Sequence, residues 1–198
     1  MALLAKIPGM RVLVPSSAQE VAQMLHDAMT LADEGPVAIR YPRGAARQVT
    51  EHEIGIGLLG RKVRSASTPA TSVCVIAIGK MLETAEKAAA QFDDGAVTVW
   101  DARCCAPLDP AMIADALRHR HVVTIEDGIR DGGIGMTIAA TISEFDSSVP
   151  VTPLGLPTKF LPHDPKASNI HARYGLDVKG LADMIGQSMN RSPSPDHG

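Results

Sequence analysis

Two arginines, Arg40 and Arg43, stand where an apolar strand candidate, residues 37–41, gives way to the turn Pro42-Arg43-Gly44. A strand that ends in this way places fixed positive charge at the edge of a sheet. Because the guanidinium group presents its N–H donors in a planar fork, arginine is suited to bidentate binding of a phosphate group. The spacing leaves two interpretations open, a phosphate-binding site and a structural ion pair.

A second cluster follows the β-branched run 122–125 and combines two acids, Glu126 and Asp127, with the glycine turn Gly132-Gly133-Ile134-Gly135. Glycine amides at a helix N-terminus can bind phosphate. This turn, however, lacks the GxGxxG spacing, no Walker lysine and serine follow it, and the preceding acids would repel a phosphate. We therefore favour a tight turn that lets a helix lie close to a strand or to a second subunit. A nucleotide-binding domain is the alternative.

The acids and two nearby histidines also suggest catalytic or metal chemistry. Glu126 and Asp127 could form a general acid/base pair, but neighbours on a strand point to opposite faces, so we do not expect them to share a proton. Glu126 is kept as a second-choice site. His119 and His121 would point the same way on an extended chain, but no third metal ligand is evident. They are predicted to be surface histidines near a helix end.

Composition argues against several classes of protein. The net charge of −3 and the aromatic content of 3% favour neither a nucleic-acid partner nor base stacking. No apolar stretch approaches the roughly 18 residues of a membrane span, and the first ten residues, interrupted by Pro8-Gly9, are not expected to be a secretory signal. The three cysteines lack disulfide or zinc spacing, so a reducing cytoplasm is the simplest setting.

Strand patterns alternate with helical ones along the chain, which is typical of an α/β layered sandwich with a mostly parallel sheet and helices on both faces. We predict a strand-helix-strand unit in residues 1–44, a polar linker in 45–70, an α/β domain in 71–189 and a disordered tail in 190–198. The first unit is too small to cover both faces of its own sheet. We therefore expect it to be the end of a larger domain.

Local signals add detail to these segments. Ser17 and Glu20 form a predicted capping box at the start of the first helix. Residues 54–63 have the alternation of an edge strand or hairpin, basic residues 61–64 are predicted to be a solvated face, and residues 103–109 are predicted to be a loop. The apolar face of the first helix would contain Val21, Leu25, Ala28 and Ala32.

Five motifs occur in an order that resembles a known family. They are Ala-Ile-Arg40-Tyr-Pro-Arg-Gly44, Pro107-Leu-Asp109, Thr124-Ile-Glu-Asp127 followed by Gly-Gly-Ile-Gly135, Gly155-Leu-Pro-Thr-Lys-Phe160 and Tyr174-Gly-Leu-Asp177. Together they resemble the C-terminal third of the 1-deoxy-D-xylulose 5-phosphate synthases, in the transketolase family. By this resemblance, residues 1–44 are the end of a pyrimidine-binding domain and residues 71–189 are a transketolase C-terminal domain.

The resemblance implies a reaction and a binding residue. Enzymes of this family condense pyruvate with glyceraldehyde 3-phosphate, release carbon dioxide, and use thiamine diphosphate and Mg²⁺ to begin isoprenoid (terpenoid) synthesis. Arg40 matches an arginine that holds the phosphate of the aldehyde substrate, and Arg43 is assigned a supporting role. The family's diphosphate-binding segment has no match here, and neither Glu20 nor Glu126 matches the glutamate that activates the cofactor.

We therefore expect no catalytic residue, cofactor site or metal site on this chain alone, and no activity by itself. The chain would be a fragment or one subunit of a split enzyme, acting as a homodimer or with a chain that carries the missing cofactor domains. A non-catalytic dimerisation module is the alternative, because residues 1–44 should expose apolar surface that needs a partner.

Overall fold

The structure is a computed structural model that describes residues 1–190 and contains two β-sheets with helices packed around them. The strands are β1 Arg11–Leu13, β2 Val37–Ile39, β3 Arg61–Arg64, β4 Val73–Ile78, β5 Val97–Asp101, β6 Cys104–Ala106, β7 His121–Ile129 and β8 Val151–Leu156. The helices are α1 Ala18–Leu31, α2 Met81–Ala89, α3 Pro110–Ala116, α4 Ile134–Phe145, α5 Ala167–Arg173 and α6 Val178–Asn190.

The larger sheet has five strands in the order β3-β5-β4-β7-β8. Strand β3 is antiparallel to β5, and the other neighbours are parallel. Helices α2 and α6 pack on one face, while α3 and α4 pack on the other. The predicted α/β sandwich with a mostly parallel sheet is confirmed.

The buried position of the central strand β4 explains why its sequence is apolar without interruption. All six of its residues are buried. Val73, Val75 and Ala77 join the core on the α2 side, whereas the residues between them join the core on the α4 side. A parallel strand that is covered on both faces needs apolar side chains at every position, not at alternate ones.

The smaller sheet has the order β2-β1-β6. Strands β1 and β2 are parallel and are connected through α1, so the predicted strand-helix-strand unit is present. Strand β6 pairs antiparallel with β1, which corrects the prediction of a loop across residues 103–109. Through this pairing the chain beyond the linker contributes a strand to the first unit, so the two parts of the chain share backbone hydrogen bonds.

Helix α1 differs from its prediction in the side that it buries. Met24 is buried, whereas Leu25 and Met29 are 52% and 76% exposed. Of the predicted apolar face, Leu25 and Ala32 are exposed, whereas Val21 and Ala28 are half-buried. Two large apolar side chains that are exposed one turn apart on a helix are unusual unless another surface packs on them.

The basic cluster at residues 61–64 forms edge strand β3, so the edge strand predicted for residues 54–63 is present only from residue 61 onward, and residues 54–60 form no strand. Three of its four residues are half-buried and Lys62 is exposed, but the basic side chains have partners: Lys62 lies 2.8 Å from Asp115, and Arg64 donates to the carbonyl oxygen of Asp93. Helix α6 includes Asn190, the first residue assigned to the predicted tail, and residues 191–198 of that tail lie outside the described part of the chain. Within residues 1–190, no helix combines the length and apolar character needed to cross a bilayer.

Candidate functional site

Arg40 follows the last residue of β2 and is held there by its backbone, because its N–H donates to the carbonyl oxygen of Leu13 at 2.8 Å. Its side chain reaches the larger sheet. Nη2 donates to the carbonyl oxygen of Asp127 at 2.7 Å and lies 3.5 Å from Asp127 Oδ2. The structure therefore brings together two residues that the sequence singled out separately, the predicted phosphate-binding arginine and the second acid of strand β7.

Asp127 is surrounded by basic groups from three elements. Besides Arg40, Lys80 Nζ lies 2.6 Å from Oδ2, and His171 Nε2 lies 2.9 Å from Oδ1. The hydrogen bond with His171, helped by that with Lys80, outweighs burial and holds the pKa of Asp127 well below its usual range. Asp127 is consequently an anion at neutral pH and the common partner of these basic side chains.

Neither Lys80 nor His171 was singled out from the sequence. A usable signal existed for Lys80: it follows β4 by two residues, and β4 and β7 are parallel neighbours with Ile78 in register with Glu126. Side chains just beyond the carboxyl ends of adjacent parallel strands meet at one edge of the sheet. His171 gave no such signal, because its helix α5 joins this edge only through tertiary packing.

Arg43 lies in a cavity next to this cluster. The cavity has a volume of about 660 Å³ and is enclosed by the start of α1, residues 41–47 and the start of α2. Its wall includes Ser17, Arg43 and Lys80. Arg43 is exposed and makes no hydrogen bond or ion pair with residues 1–190. Lys80 therefore belongs both to the Asp127 cluster and to a cavity whose wall also contains the cations Arg43 and Arg47 and the acid Glu83.

Glu126 points away from Asp127 and closes the glycine turn. It is buried, and its Oε1 accepts a hydrogen bond from the Gly135 amide at 2.9 Å. A Cβ atom at Gly133 would lie 2.4 Å from the same oxygen. Burial raises the pKa of Glu126, although amide hydrogen bonds oppose the shift. Because a carboxylate of the chain itself occupies the amides at the start of α4, the turn is a packing device and offers no room for a diphosphate.

The histidines are also packing residues, which corrects the prediction that they lie on the surface. His119 and His121 are 3% and 1% exposed. His119 Nε2 lies 2.8 Å from Thr98 Oγ1, and His121 Nε2 lies 2.8 Å from Thr152 Oγ1. Burial lowers the pKa of His119. Within the described residues, no group of three or more His, Cys, Asp or Glu side chains converges as a metal site would require.

A buried polar cluster joins the first unit to the rest of the chain and was not predicted. It consists of Ser16, Glu20, Asp101 and Arg103, and we call it the seam cluster. Arg103 is fully buried, adopts a positive φ of 53°, and its Nε donates to Glu20 Oε1 at 2.6 Å. An ion pair without solvent contact is retained only when its remaining donors and acceptors are also satisfied.

Most of those remaining groups have partners. Arg103 Nη1 donates to the carbonyl oxygens of Gly57 and Leu59 at 3.1 and 2.7 Å, which fixes the linker against the seam. The predicted capping box is half correct: Ser17 Oγ accepts from the Glu20 amide, but the Glu20 carboxylate accepts from the amide of Ser16 rather than that of Ser17. The Glu20 side chain therefore points into the seam cluster and does not cap the N-terminus of α1.

Comparison with known proteins gives two family models. Residues 62–181 match the model described as "Transketolase, C-terminal domain", and residues 1–48 match "Transketolase, pyrimidine binding domain". The seam cluster and the Arg40–Asp127 contact both connect these two matched regions.

Several curated relatives have the same name. The 1-deoxy-D-xylulose-5-phosphate synthase of Thermobifida fusca is 34% identical over 188 residues, which cover 93% of this chain and 29% of the relative. The enzyme of Anaeromyxobacter dehalogenans is 36% identical over 193 residues, with 92% and 29% covered. The chain thus spans about three tenths of the length of these relatives.

A solved structure described as "Split gene transketolase, inactive beta4 tetramer" superimposes with a TM-score of 0.77 at 25% identity. The match covers 95% of this chain and 60% of that one.

Proposed function

This chain belongs to the transketolase family, and from that premise we propose that it forms the C-terminal part of a 1-deoxy-D-xylulose-5-phosphate synthase-type transferase. The complete enzyme would join pyruvate to glyceraldehyde 3-phosphate with loss of carbon dioxide, in the cytoplasm, and would supply isoprenoid precursors. The observation that carries this proposal is the position of Arg40, at the contact between the two family-matched regions and held there by Asp127.

In this proposal the phosphate of the aldehyde substrate is bound by Arg40, with Arg43 in support. Asp127 is the positioning residue, because its backbone carbonyl accepts from Arg40 while its carboxylate binds Lys80 and His171. A single carboxylate offsets several positive groups, so the site keeps an excess of positive charge, which favours a phosphate dianion. These residues bind and orient the substrate; the bond changes take place elsewhere in the complete enzyme.

Residues 1–190 do not fit thiamine diphosphate with Mg²⁺. They contain no converging set of metal ligands, and Glu126 occupies the amides of the glycine turn. The cofactor and its metal would therefore be held by other segments of the complete enzyme. The occupied turn likewise argues against the alternative of a nucleotide-binding domain.

Association with another chain is part of the proposal. Leu25 and Met29 lie one turn apart on α1 and are largely exposed, and β2 is an edge strand of the smaller sheet. An apolar helix face beside an open sheet edge is the kind of surface that a larger domain covers. We propose that this surface receives the cofactor-bearing part of the enzyme, either on a partner chain or within a homodimer.

The test is reconstitution. The purified chain is mixed with a polypeptide carrying the N-terminal segments of a synthase from this family, thiamine diphosphate, Mg²⁺, pyruvate and glyceraldehyde 3-phosphate, and carbon dioxide release is followed. We expect release that needs both polypeptides and the aldehyde. Association without any turnover, in every pairing tried, would instead support the second candidate function, a non-catalytic dimerisation module, which the exposed Leu25 and Met29 favour equally.

A further inference from the structure

We propose that the seam cluster binds a proton on Asp101, and that release of this proton loosens the contact between the two family-matched regions. The proposal rests on the arrangement of the cluster and is independent of the reaction proposed above. Ser16 and Glu20 lie in the first region, and Asp101 and Arg103 lie in the second.

The geometry of Ser16 favours a proton on one of two acids. Its Oγ lies 3.0 Å from Glu20 Oε2 and 2.6 Å from Asp101 Oδ2. A hydroxyl group has one hydrogen to donate, so it can satisfy only one of two carboxylates. The second contact is a hydrogen bond only if that carboxyl group is protonated and donates to the Ser16 oxygen. With both acids ionised, two buried anions would face one another across a single hydroxyl.

The remaining contacts assign the proton to Asp101. Glu20 accepts from Arg103 Nε at 2.6 Å and from the amides of Ser16 and Gly55 at 3.0 and 3.3 Å, and all of these donors favour its charged form. Ser16 is the one hydrogen-bond partner of the Asp101 carboxyl group among the described residues, and Arg61 forms a longer ion pair with it. Asp101 Oδ1 has no hydrogen-bond partner among the described residues, and Arg61 Nη2 is 3.9 Å away, beyond hydrogen-bond distance. Of the two acids, Asp101 receives the fewer hydrogen bonds, so the arrangement places the proton on Asp101, although Arg61 favours its ionised form.

The groups that face Asp101 agree with this assignment. They are Glu20 on α1, Arg61 on β3, and Arg103 between β5 and β6. Burial, with the charge of Glu20, raises the pKa of Asp101 to about 7 against the opposing arginines. Cys105, the neighbouring thiol on β6, stays neutral because burial raises its pKa well above its ordinary value.

The direction of the pH effect follows from linkage. The pKa of Asp101 is raised in the folded chain, so between about pH 4 and pH 7 the folded state holds a proton that the unfolded state does not. Stability from this residue therefore falls as the pH rises through that range. The pKa of Glu20 is lowered in the folded chain. The stability that Glu20 contributes therefore changes only at pH values below the ordinary pKa of a glutamate, outside the range in which Asp101 acts. Ser16 also lines the cavity of about 660 Å³, so release of the proton changes the hydrogen bonding of one residue in its wall.

The direct test is a carboxyl ¹³C titration of the full chain, with the Asp101 signal assigned by its absence in Asp101→Asn. We expect the Asp101 resonance to titrate near neutral pH, above the ordinary range for an aspartate, which is about pH 4. An Asp101 resonance that is already that of an ionised carboxylate at pH 5 would overturn the proposal. The titration itself is read on the wild-type chain, and the variant serves only to assign the signal.

The second test compares variants by urea denaturation at pH 5.5 and pH 8. Asp101→Asn keeps the shape and removes the titration, so the ratio of its unfolding constant to that of the wild type should change by about 30-fold between these pH values, given a pKa near 7. Asp146→Asn is the control, because hydrogen bonds from Ser148 lower the pKa of Asp146 and no ion pair joins it to another of the residues 1–190, so its ratio should stay constant. An equally constant ratio for Asp101→Asn would refute the proposal.

Discussion

Arg40 Nη2 donates a 2.7 Å hydrogen bond to the backbone carbonyl oxygen of Asp127, a residue 87 positions later in the chain. The contact uses the backbone of β7 rather than a flexible side chain, so it fixes the arginine relative to the sheet. The carboxylate of the same aspartate remains available for Lys80 and His171. One residue thereby orders basic groups from three other elements at the edge where the two family-matched regions meet.

We predict that Asp127→Asn destabilises the chain, because Lys80 and His171 lose their anionic partner. The expected loss is about 1–2 kcal/mol of unfolding free energy at pH 7, measured by urea denaturation. The pKa of Asp127 is depressed in the folded state, so its contribution is present above its ordinary pKa and fades as the pH falls below about 4. The difference between variant and wild type should therefore shrink at pH 3. Asp183→Asn, which breaks an exposed pair with Lys179, is the control and should change nothing measurable.

Arg103→Met should be among the most damaging substitutions in the chain, because it leaves Glu20 buried without its cation. We expect a loss of about 3–5 kcal/mol, or failure to fold. The double variant Glu20→Met with Arg103→Met should recover part of that loss, since removing both charges also removes the unpaired one. Calorimetric melting temperatures of the single and double variants test this. If the double variant is less stable than Arg103→Met, the pair is not the source of the effect.

Two neighbouring glycines are predicted to respond differently to alanine. At Gly133 a Cβ would lie 2.4 Å from both Glu126 Oε1 and the Ile129 carbonyl oxygen, so Gly133→Ala should cost about 2–3 kcal/mol. At Gly132 there is open space but φ is +73°, so Gly132→Ala should cost only about 1 kcal/mol of backbone strain. Equal losses in chemical denaturation would show that the Glu126 contact does not shape the turn.

The exposed side chains of α1 are predicted to mediate association. Leu25→Glu with Met29→Glu should leave the fold intact, because both side chains are largely exposed, and should abolish assembly with the cofactor-bearing polypeptide or with a second copy. Sedimentation velocity reports the loss. Phe145→Glu, at an equally exposed apolar side chain on α4, is the control. If the α1 variant assembles as well as the control does, the proposed interface is wrong.

Sequence patterns predicted the strands and helices whose apolar residues recur with a local period. The continuous apolar run of β4 and the spacing of Ile134, Ile138 and Ile142 on α4 indicated a strand and a helix that the structure contains. The same reasoning misassigned β6, because three residues carry no measurable period and the strand exists only by pairing with β1.

The seam cluster could not be predicted from local sequence patterns, for a related reason. Glu20 and Arg103 are 83 positions apart, and nothing local marks either one as the partner of the other. A capping box was the nearest explanation for Glu20, and tertiary contact with a buried arginine outweighed it. The sequence singles out Arg40, but only the fold reveals that it contacts Asp127.

The central claim is that Arg40 binds the phosphate of the aldehyde substrate in a synthase-type reaction. The most direct measurement is KM in the reconstituted enzyme for glyceraldehyde 3-phosphate and for glyceraldehyde, with wild type, Arg40→Ala and Arg43→Ala. We predict that Arg40→Ala raises KM for the phosphorylated aldehyde by about 10- to 100-fold, the loss of one or two charge-assisted hydrogen bonds. Arg43→Ala should have a smaller effect, and neither should change KM for glyceraldehyde. An Arg40→Ala enzyme whose two KM values rise equally, or not at all, would contradict the account.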